Sequence, residues 1–366
     1  MTAFPTPPDL PERSAATPRV SLNLETIARR LAHFAKTVCG KGAAVSGLQV
    51  MEAGHAGLTF GFDLLEPARG RRRGLVLKLA PLGVRRSGNT DVFRQVPLLR
   101  ALFAAGLAVP DVPYADAGEE LFGVPFMMMD RLAGLPFFVW QPDPAFDCTD
   151  EAVAPLWEQT VDAMAALHRF DWQRHLADWE RPRGLYDEIV RWDPILDKSP
   201  QPGWVASGRA LRDRLLATRP EGGPIGLVHG DCQPGNVLFD AGRLTGLIDW
   251  ELASIGSRRI DAGWMMMLAD HASWPDDWRP RCPLSPDQLA ARYAAAMDER
   301  CDDLPWYQAY AGYRLGAIAC LNVHLHRSGR RTDPTWERFA FAIPLMFARA
   351  TAIIDRLPHT STQDSR

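Results

Sequence analysis

The sequence predicts an α+β protein, with a small β-rich lobe followed by a larger, mainly helical lobe. Between residues 47 and 81 the apolar residues form three short runs bounded by Gly, Pro or charged residues, as strands do. Beyond residue 134 the apolar residues recur mainly at helical spacing. At 366 residues the chain is long enough to fold into both lobes.

Composition argues against nucleic-acid binding and membrane insertion. The 41 basic and 44 acidic residues give a net charge of −3, without the basic excess of a nucleic-acid-binding protein. The six cysteines form no Cys-x-x-Cys pair, which suits free thiols in a reducing compartment. No apolar stretch is long enough to span a bilayer, and the proline-rich start does not resemble a signal peptide. We therefore expect a cytoplasmic protein, monomeric or homodimeric, with no nucleic-acid or membrane partner.

The N-lobe is predicted to span residues 20–132, after a flexible arm at 1–19 that is rich in Pro, Ser and Thr. Apolar residues recur at helical spacing from Leu24 to Phe34 and predict a first helix. Three strands are predicted next, in the runs GLQVMEAG, LTFGFDLL and GLVLKLAP. Residues 91–105 predict a second helix, and the run GVPFMMMDRL predicts a fourth strand.

The C-lobe is predicted to span residues 133–357 and to be followed by a flexible tail at 358–366. An amphipathic helix is predicted at 151–168, and residues 285–355 are predicted to be helical with few breaks. Between these helical regions, residues 223–250 predict a strand, a loop, a second strand, a turn and a third strand.

Three polar residues in this strand-rich block have the chemistry that phosphoryl transfer requires. The reaction needs a carboxylate to orient a hydroxyl and accept its proton, and oxygen ligands for the Mg²⁺ that neutralises the phosphates. Asp231 can supply the carboxylate, and Asn236 and Asp249 the ligands. If the two strands beside the turn at Asp240 pair as a hairpin, Asn236 and Asp249 lie at the same end of it. The sequence therefore predicts an enzyme that transfers a phosphoryl group to a hydroxyl.

Each of these residues also has a purely structural interpretation. Asp231 and Asp240 are common turn residues, and Asn236 can cap a turn. His229 can orient the loop through a hydrogen bond to a backbone carbonyl, or it can be an ordinary core histidine. Cys232 has no evident His partner and is predicted to be a small buried residue, not a nucleophile.

The motif HGDxxxxN that begins at His229, with Asp249 downstream, resembles that of the aminoglycoside phosphotransferase-like small-molecule kinases, which include choline kinase-type enzymes. The resemblance covers about residues 45–350. The segments IDWE and GVPFMMMDRLAG resemble the branch whose members also occur fused to acyl-CoA dehydrogenases. The resemblance implies a protein-kinase-like two-lobe fold that uses Mg²⁺ and ATP or GTP. It also implies that Asp261 braces the catalytic loop and that Glu251 lies behind the metal ligands.

The resemblance further implies where the nucleotide binds in the N-lobe. Lys78, in an apolar strand where burial of an unpaired ammonium is costly, would bind the α- and β-phosphates. The loop GHAGLT would cover the phosphates, and the segment from Asp130 through Arg131 to Leu132 would bind adenine through its backbone. The residues implied in nucleotide binding are Gly54, Gly57, Thr59, Lys78, Gln95, Asp130 and Leu132.

The sequence departs from the family pattern on the nucleotide side. The helix residue that would pair with Lys78 is Gln95 instead of Glu, and an amide cannot form an ion pair. Asp91 is the alternative partner. The phosphate loop also contains His-Ala-Gly where relatives are more polar. These departures leave open a catalytically weak, pseudokinase-like nucleotide-binding protein.

The acceptor is predicted to be a small-molecule hydroxyl compound. Tryptophans in the C-lobe favour a largely apolar acceptor such as a hydroxyacyl chain, but tryptophans also pack helical cores. Acidic residues such as Asp270 keep a cationic acceptor open, so an aminoglycoside or macrolide kinase is an alternative. Because Asp249 is not followed by Phe-Gly, a protein kinase is disfavoured. The tryptophans concerned are Trp192, Trp204, Trp264, Trp274, Trp278 and Trp306.

Overall fold

The computed structural model describes residues 23–51, 58–83, 86, 88–221 and 223–357. The predicted arm and tail, and the loop residues Gly54 and Gly57, lie outside the described residues. Within the described residues, no helix is both long enough and apolar enough to cross a membrane.

The chain divides into two compact units. The first comprises Met1–Phe93 and Val112–Arg131, and the second comprises Arg94–Asp111 and Leu132–Arg366. The first unit is β-rich and the second is mainly helical, so the predicted α+β class is confirmed.

The first unit is built around one antiparallel sheet. Its strands lie in the order β1-β2-β3-β5-β4. Because β3 is paired on both sides, its residues from Leu75 to Leu79 are buried, and this burial explains their continuous apolar run. The elements of this unit are α1 (Leu24–Val38), β1 (Ala44–Val50), β2 (Leu58–Glu66), β3 (Arg71–Leu79), β4 (Tyr114–Asp116) and β5 (Phe126–Asp130).

The first helix confirms the prediction made from its apolar spacing. The side chain of Asn23 caps α1 by accepting a hydrogen bond from the backbone N–H of Thr26 at 2.9 Å. Ile27, Leu31 and Phe34 form the buried face of α1.

The second unit combines long helices with two small antiparallel sheets. One sheet has the strand order β6-β8-β9, and the other pairs β10 with β7. The predicted helical region at 285–355 forms three helices, α9, α10 and α11. The elements of this unit are α2 (Gln95–Ala104), β6 (Leu135–Pro136), α3 (Asp150–His168), α4 (Trp172–Leu176), α5 (Leu185–Val190), α6 (Asp193–Leu196), α7 (Pro202–Ala217), β7 (Ile225–Val228), β8 (Val237–Asp240), β9 (Arg243–Leu247), β10 (Ser254–Ser257), α8 (Arg259–Ala269), α9 (Pro286–Met297), α10 (Leu304–Arg327) and α11 (Thr335–Ile354).

The second helix is shorter than predicted. The sequence predicted that it starts at Asp91, whereas α2 starts at Gln95 and Asp91 lies outside it. Pro97 explains the difference, because proline is tolerated in the first turn of a helix and not further inside.

The residue before α2 packs within the second unit: the guanidinium of Arg94 lies 4.4 Å from the ring of Trp179, and Trp179 Nε1 donates to the Arg94 carbonyl at 2.8 Å.

The hairpin predicted around Asp240 is confirmed. Strands β8 and β9 pair antiparallel, with Asp240 opposite Arg243. The two residues between them, Ala241 and Gly242, have φ values of 47° and 75°. Two successive positive φ angles are typical of the tight turns that match the twist of a hairpin.

Candidate active site

The hairpin brings Asn236 and Asp249 to the same end. Asn236 immediately precedes β8, and Asp249 lies two residues beyond the end of β9. The backbone N–H of Ile248 donates to the carbonyl of Asn236 at 2.9 Å and extends the pairing of the two strands. Asp231 lies on the loop that joins β7 to the short 3-10 turn Pro234–Asn236.

Asn236 binds Asp231 directly. Its Nδ2 donates to the backbone oxygen of Asp231 at 2.8 Å and to the carboxylate Oδ2 at 2.9 Å. Burial, and then the negative charge of Asp249, raise the pKa of Asp231 to about 7. The charge of Arg314, the hydrogen bond from Asn236 and the indole N–H of Trp264 act in the opposite direction. Asp231 is therefore a half-buried carboxyl group that titrates near neutral pH.

Asp249 is held in an unusual backbone conformation. Its φ and ψ are 64° and 65°, in the left-handed region that favours glycine. The chain around it is fixed by the Ile248 bond to the hairpin and by Trp250 Nε1, which donates to the carbonyl of Leu247 at 3.1 Å. Non-glycine residues held in this region are concentrated at functional sites.

Both ring nitrogens of His229 are engaged by the backbone. Nδ1 accepts a hydrogen bond from the N–H of Asp231 at 3.3 Å, so Nε2 carries the proton and donates to the carbonyl of Ile248 at 3.0 Å. Burial lowers the pKa of His229, which favours this neutral ring. His229 thus links the loop of Asp231 to the residue before Asp249.

Asp261 anchors the same loop from α8. Its carboxylate is fully buried and accepts hydrogen bonds from the backbone N–H groups of His229 at 2.7 Å and Gly230 at 2.8 Å, and from His168 Nε2 at 3.1 Å. Burial alone would raise the pKa of Asp261, but the interactions with His168 and His229 lower it below its usual value of 3.8. Asp261 therefore remains ionised.

Position 230 requires glycine. Its φ is 89°, and an added Cβ would lie 2.5 Å from the carbonyl oxygen of Leu252. Any side chain at this position would force the loop away from Leu252.

Asn236 and Asp249 suit a magnesium ion. Since both N–H bonds of Asn236 Nδ2 face Asp231, its Oδ1 faces away from that carboxylate. An amide oxygen and a carboxylate are hard donors of the type that Mg²⁺ prefers. In the described part of the chain, no group of three or more His, Cys, Asp or Glu side chains could hold a metal ion. A metal at this site would complete its coordination with phosphate oxygens and water, as Mg²⁺ commonly does.

Two of the predicted nucleotide-binding residues are neighbours in the sheet of the first unit. Lys78 on β3 is only 8% exposed. It lies opposite Thr59 on β2 and Met127 on β5. The glycines predicted to act with them, Gly54 and Gly57, lie outside the described residues.

The predicted adenine-binding segment runs across the boundary between the two units. The carboxylate of Asp130 accepts a hydrogen bond from Arg73 Nη2 at 2.7 Å, and the N–H of Arg131 donates to the carbonyl of Gly74 at 3.0 Å. These groups are therefore used inside the first unit. Leu132 begins the following stretch of the second unit.

Gln95 belongs to a different unit from Lys78, and the pairing of the two stays a prediction. Gln95 is 2% exposed, and within the described residues its Nε2 has no hydrogen-bond partner. Asp91, the alternative partner of Lys78, lies in the same unit as the lysine.

Two residues of this region were not predicted from the sequence: His168 and Arg314. The sequence gives no local signal for His168, whereas Trp264 was named as one of the six tryptophans that favour an apolar acceptor. Arg314 did have a local signal, because it is the only charged residue in the apolar stretch 304–323. The reasoning that selected Lys78 from its apolar strand applies equally to Arg314.

Cys232 is a small buried residue, as predicted. It is 1% exposed, and burial raises the pKa of its thiol well above the ordinary value. A thiol that stays protonated is a poor nucleophile, so this residue has no place in the chemistry of the loop.

Comparison with known proteins agrees with the geometry. The sequence model of the phosphotransferase enzyme family, APH, matches residues 65–310. IBR3 of Arabidopsis thaliana, which bears an acyl-CoA dehydrogenase name, is 28% identical over 268 residues, or 66% of this chain and 32% of that protein. An aminoglycoside 3′-phosphotransferase of Streptomyces fradiae is 28% identical over 193 residues, or 51% of this chain and 68% of that protein. The chain spans about a third of the length of IBR3.

Solved structures share the fold across nearly the whole chain. A provisionally assigned aminoglycoside phosphotransferase from Ralstonia eutropha has a TM-score of 0.68 at 19% identity, covering 90% of this chain and 98% of that chain. A variant of the aminoglycoside phosphotransferase APH(4)-Ia, in a ternary complex with ADP and hygromycin B, has a TM-score of 0.57 at 20% identity, with the same coverage of both chains.

Proposed function

The chain belongs to the phosphotransferase enzyme family, and we propose that it is a kinase that transfers the γ-phosphoryl group of ATP or GTP to a hydroxyl of a small molecule. One observation carries the proposal: Asn236 binds the carboxylate of Asp231 at the end of the hairpin that also holds Asp249. These three side chains supply a proton acceptor beside two oxygen ligands, which is the minimal set for the reaction.

Asp231 orients the acceptor hydroxyl and takes its proton. As the hydroxyl oxygen bonds to the γ-phosphorus, the proton moves to the carboxylate, and ADP or GDP leaves with the electrons of the broken P–O bond. A pKa of about 7 suits a general base at neutral pH. Asn236 fixes the carboxylate by its hydrogen bond to Oδ2, so that Oδ1 remains for the acceptor.

Asn236 Oδ1 and the carboxylate of Asp249 are the residues that would hold Mg²⁺. When bound, the ion neutralises charge on the phosphate oxygens. The fixed left-handed backbone of Asp249 keeps its carboxylate at the end of the hairpin without further rearrangement.

His229 and Asp261 position the loop instead of reacting. Both nitrogens of the His229 ring are used by backbone groups, so neither is left for substrate. Asp261 accepts hydrogen bonds from two successive N–H groups of the loop and fixes the backbone that leads into Asp231.

On the nucleotide side, Lys78 binds the α- and β-phosphates, and Asp130 and Leu132 contact the base through their backbone. The place of Lys78 on β3, opposite Thr59 of β2, supports this role, because both residues are implied in nucleotide binding. The APH(4)-Ia variant that shares the fold holds ADP, which supports a nucleotide co-substrate.

Gln95 favours a second candidate, a nucleotide-binding protein with weak or no turnover. A buried amide cannot supply the ion pair that would fix Lys78. The two candidates make different predictions, because the second binds nucleotide with Mg²⁺ but releases no ADP or GDP with any acceptor.

The acceptor we propose first is a hydroxyacyl compound or another largely apolar alcohol. The similarity to IBR3, which bears the name of an enzyme of acyl chemistry, supports it. An antibiotic kinase is the alternative, supported by the Streptomyces fradiae aminoglycoside 3′-phosphotransferase.

The test is release of ADP or GDP from purified protein with Mg²⁺ and a panel of hydroxy acids, hydroxyacyl thioesters, macrolides and aminoglycosides. We expect acceptor-dependent release that Asp231→Asn and Asn236→Ala abolish. Asp240→Asn, in the exposed turn of the same hairpin, is the matched control and should retain turnover. Release that survives Asp231→Asn would contradict the proposed role of the loop.

A further inference from the structure

Arg314 is a buried cation in the middle of α10. Only 3% of the residue is exposed. Its Cζ lies 5.1 Å from the ring centroid of Trp192 and 4.9 Å from that of Trp264. The two aromatic rings attract the cation and hold it in place, but they accept none of its N–H bonds in the way that an oxygen would.

One N–H of the Arg314 guanidinium, at the buried Nε, lacks a hydrogen-bond acceptor among the described residues. Burial would raise the pKa of Glu188, but the positive charges of Arg191, Arg314 and Arg183 lower it to about 2. That carboxylate is nevertheless bound by Arg183 at 2.8 Å, by Arg191 at 3.1 Å and by the hydroxyl of Tyr310 at 2.7 Å, and not by Arg314. A buried N–H left without an acceptor is costly unless a ligand supplies one.

The guanidinium of Arg314 also acts on the proposed base. The charge of Arg314 acts on the carboxylate of Asp231. Trp264, whose ring contacts Arg314, acts on the same carboxylate through its indole N–H and lowers the pKa of Asp231. Arg314 and Trp264 therefore both act on the carboxylate of Asp231.

Trp192, in contrast, is fully satisfied. Its Nε1 donates to the hydroxyl of Tyr310 at 2.9 Å, and Tyr310 donates to Glu188 at 2.7 Å. These two hydrogen bonds fix the ring of Trp192, against which Arg314 lies. Arg314 is therefore a pre-organised cation on rigid elements, a property that a ligand-binding group needs.

We propose that Arg314 binds an acidic group of the acceptor, so that the substrate is a hydroxy acid with its hydroxyl at Asp231 and its carboxylate at Arg314. A carboxylate matches the planar guanidinium with two parallel hydrogen bonds and supplies the missing acceptor. The rings of Trp192 and Trp264 flank the guanidinium and provide apolar surface for the carbon chain between the two groups. The inference rests on the proposed function and names its substrate class. Arg314 lies outside residues 65–310, which the family sequence model matches, as suits a residue that sets specificity within a family.

The first test needs no variant. A series of straight-chain hydroxycarboxylates is compared with the primary amide of each compound, and with hydroxyalkyl phosphates as a second source of negative charge. We expect kcat/KM for the acid to exceed that for its amide by about 10- to 100-fold, the usual value of a hydrogen bond to a charged group. Faster transfer to the phosphates than to the carboxylates would overturn the carboxylate assignment. Equal rates for acid and amide would overturn the subsite.

The second test uses Arg314→Met and Arg314→Lys, with Arg327→Met on the same helix as the control. Arg327 pairs with Glu337 on the surface, so its loss should leave acceptor kinetics unchanged. We expect Arg314→Met to raise KM for the acid about 10- to 100-fold and to erase the preference over the amide, and Arg314→Lys to recover part of it. An equal loss of kcat for acid and amide would show a structural role only.

Direct binding separates this inference from the proposed function. Titration of a hydroxycarboxylate should change tryptophan fluorescence in the wild type and not in Arg314→Met, because Trp192 and Trp264 adjoin the guanidinium. A wild type that phosphorylates neutral alcohols but ignores acids would overturn the subsite and leave the kinase proposal standing. A wild type without Mg²⁺-dependent nucleotide binding would overturn the kinase proposal first.

Discussion

Asp261 and Arg314 are two buried charges of the second unit that differ in how completely the protein satisfies their hydrogen bonds. Asp261 is 0% exposed and accepts hydrogen bonds from three donors of the protein, with both carboxylate oxygens in use. Arg314 is 3% exposed and, among the described residues, its buried Nε meets no acceptor. Both charges act within one connected region, since Asp261 fixes the loop of Asp231 and Arg314 influences the pKa of that residue.

The difference distinguishes a buried charge that the protein itself supplies with hydrogen bonds from one that has a hydrogen bond left for a ligand. A buried ion whose hydrogen bonds are complete stabilises the fold, and its removal leaves several partners unsatisfied. A buried ion whose hydrogen bonds are incomplete costs stability and is retained for function.

The largest effect is expected at Asp231, on which the two charges converge. Asp231→Asn preserves shape and the contact with Asn236 but removes the proton acceptor, so kcat should fall by about 10²- to 10⁴-fold. Steady-state assay of ADP or GDP release measures it, with calorimetry to confirm that nucleotide still binds. A fall smaller than tenfold would mean that another group accepts the proton.

The next largest effect is expected from Asp261→Asn. The NH₂ group of Asn would face N–H donors that bind a carboxylate oxygen of Asp261 in the wild type. Because these donors lose their acceptor, the free energy of unfolding should fall by about 3 kcal/mol. Urea denaturation measures this change, and Asp276→Asn is the control, because its side chain is 96% exposed. A change as small as that of the control would remove Asp261 from its bracing role.

A pH dependence follows from the same residue. Because the folded protein lowers the pKa of Asp261 below 3.8, ionised Asp261 contributes stability above pH 3.8 that is lost as pH falls through its folded value. The stability difference between wild type and Asp261→Asn should therefore narrow below about pH 3.8. A difference that stays constant down to the acid transition would contradict the lowered pKa.

The smallest effect on stability is expected from Arg314→Met. Met removes the attraction to two tryptophans and the positive charge that acts on Glu188 and Asp231, but it also removes a buried Nε–H without an acceptor. Because these effects oppose one another, the free energy of unfolding should stay within about 1 kcal/mol of wild type. Denaturation under the conditions used for Asp261→Asn gives the comparison. A loss as large as that of Asp261→Asn would make Arg314 a structural cation.

The parts of the molecule that the sequence predicted well are local in the chain. The hairpin of β8 and β9 follows from two apolar runs and a two-residue turn, and it fixes Asn236 near Asp249. The start of α2 was predicted too early because the spacing of apolar residues takes no account of Pro97, which restricts the helix to a start shortly before it. His168 was missed because α3 is far from the loop in sequence, and packing between distant helices has no local signature. Arg314 was missed although its position as the one charged residue of the apolar stretch 304–323 marked it.

Calorimetric titration of ATP and of GTP, with and without Mg²⁺, into wild type and Asp249→Ala tests the central claim most directly. Asp240→Ala, at the opposite end of the hairpin, is the control. The account predicts that wild type and control bind at least one nucleotide with a Kd that Mg²⁺ tightens, and that Asp249→Ala loses the effect of the metal. Binding that is the same with and without Mg²⁺, or that Asp249→Ala retains in full, would contradict it.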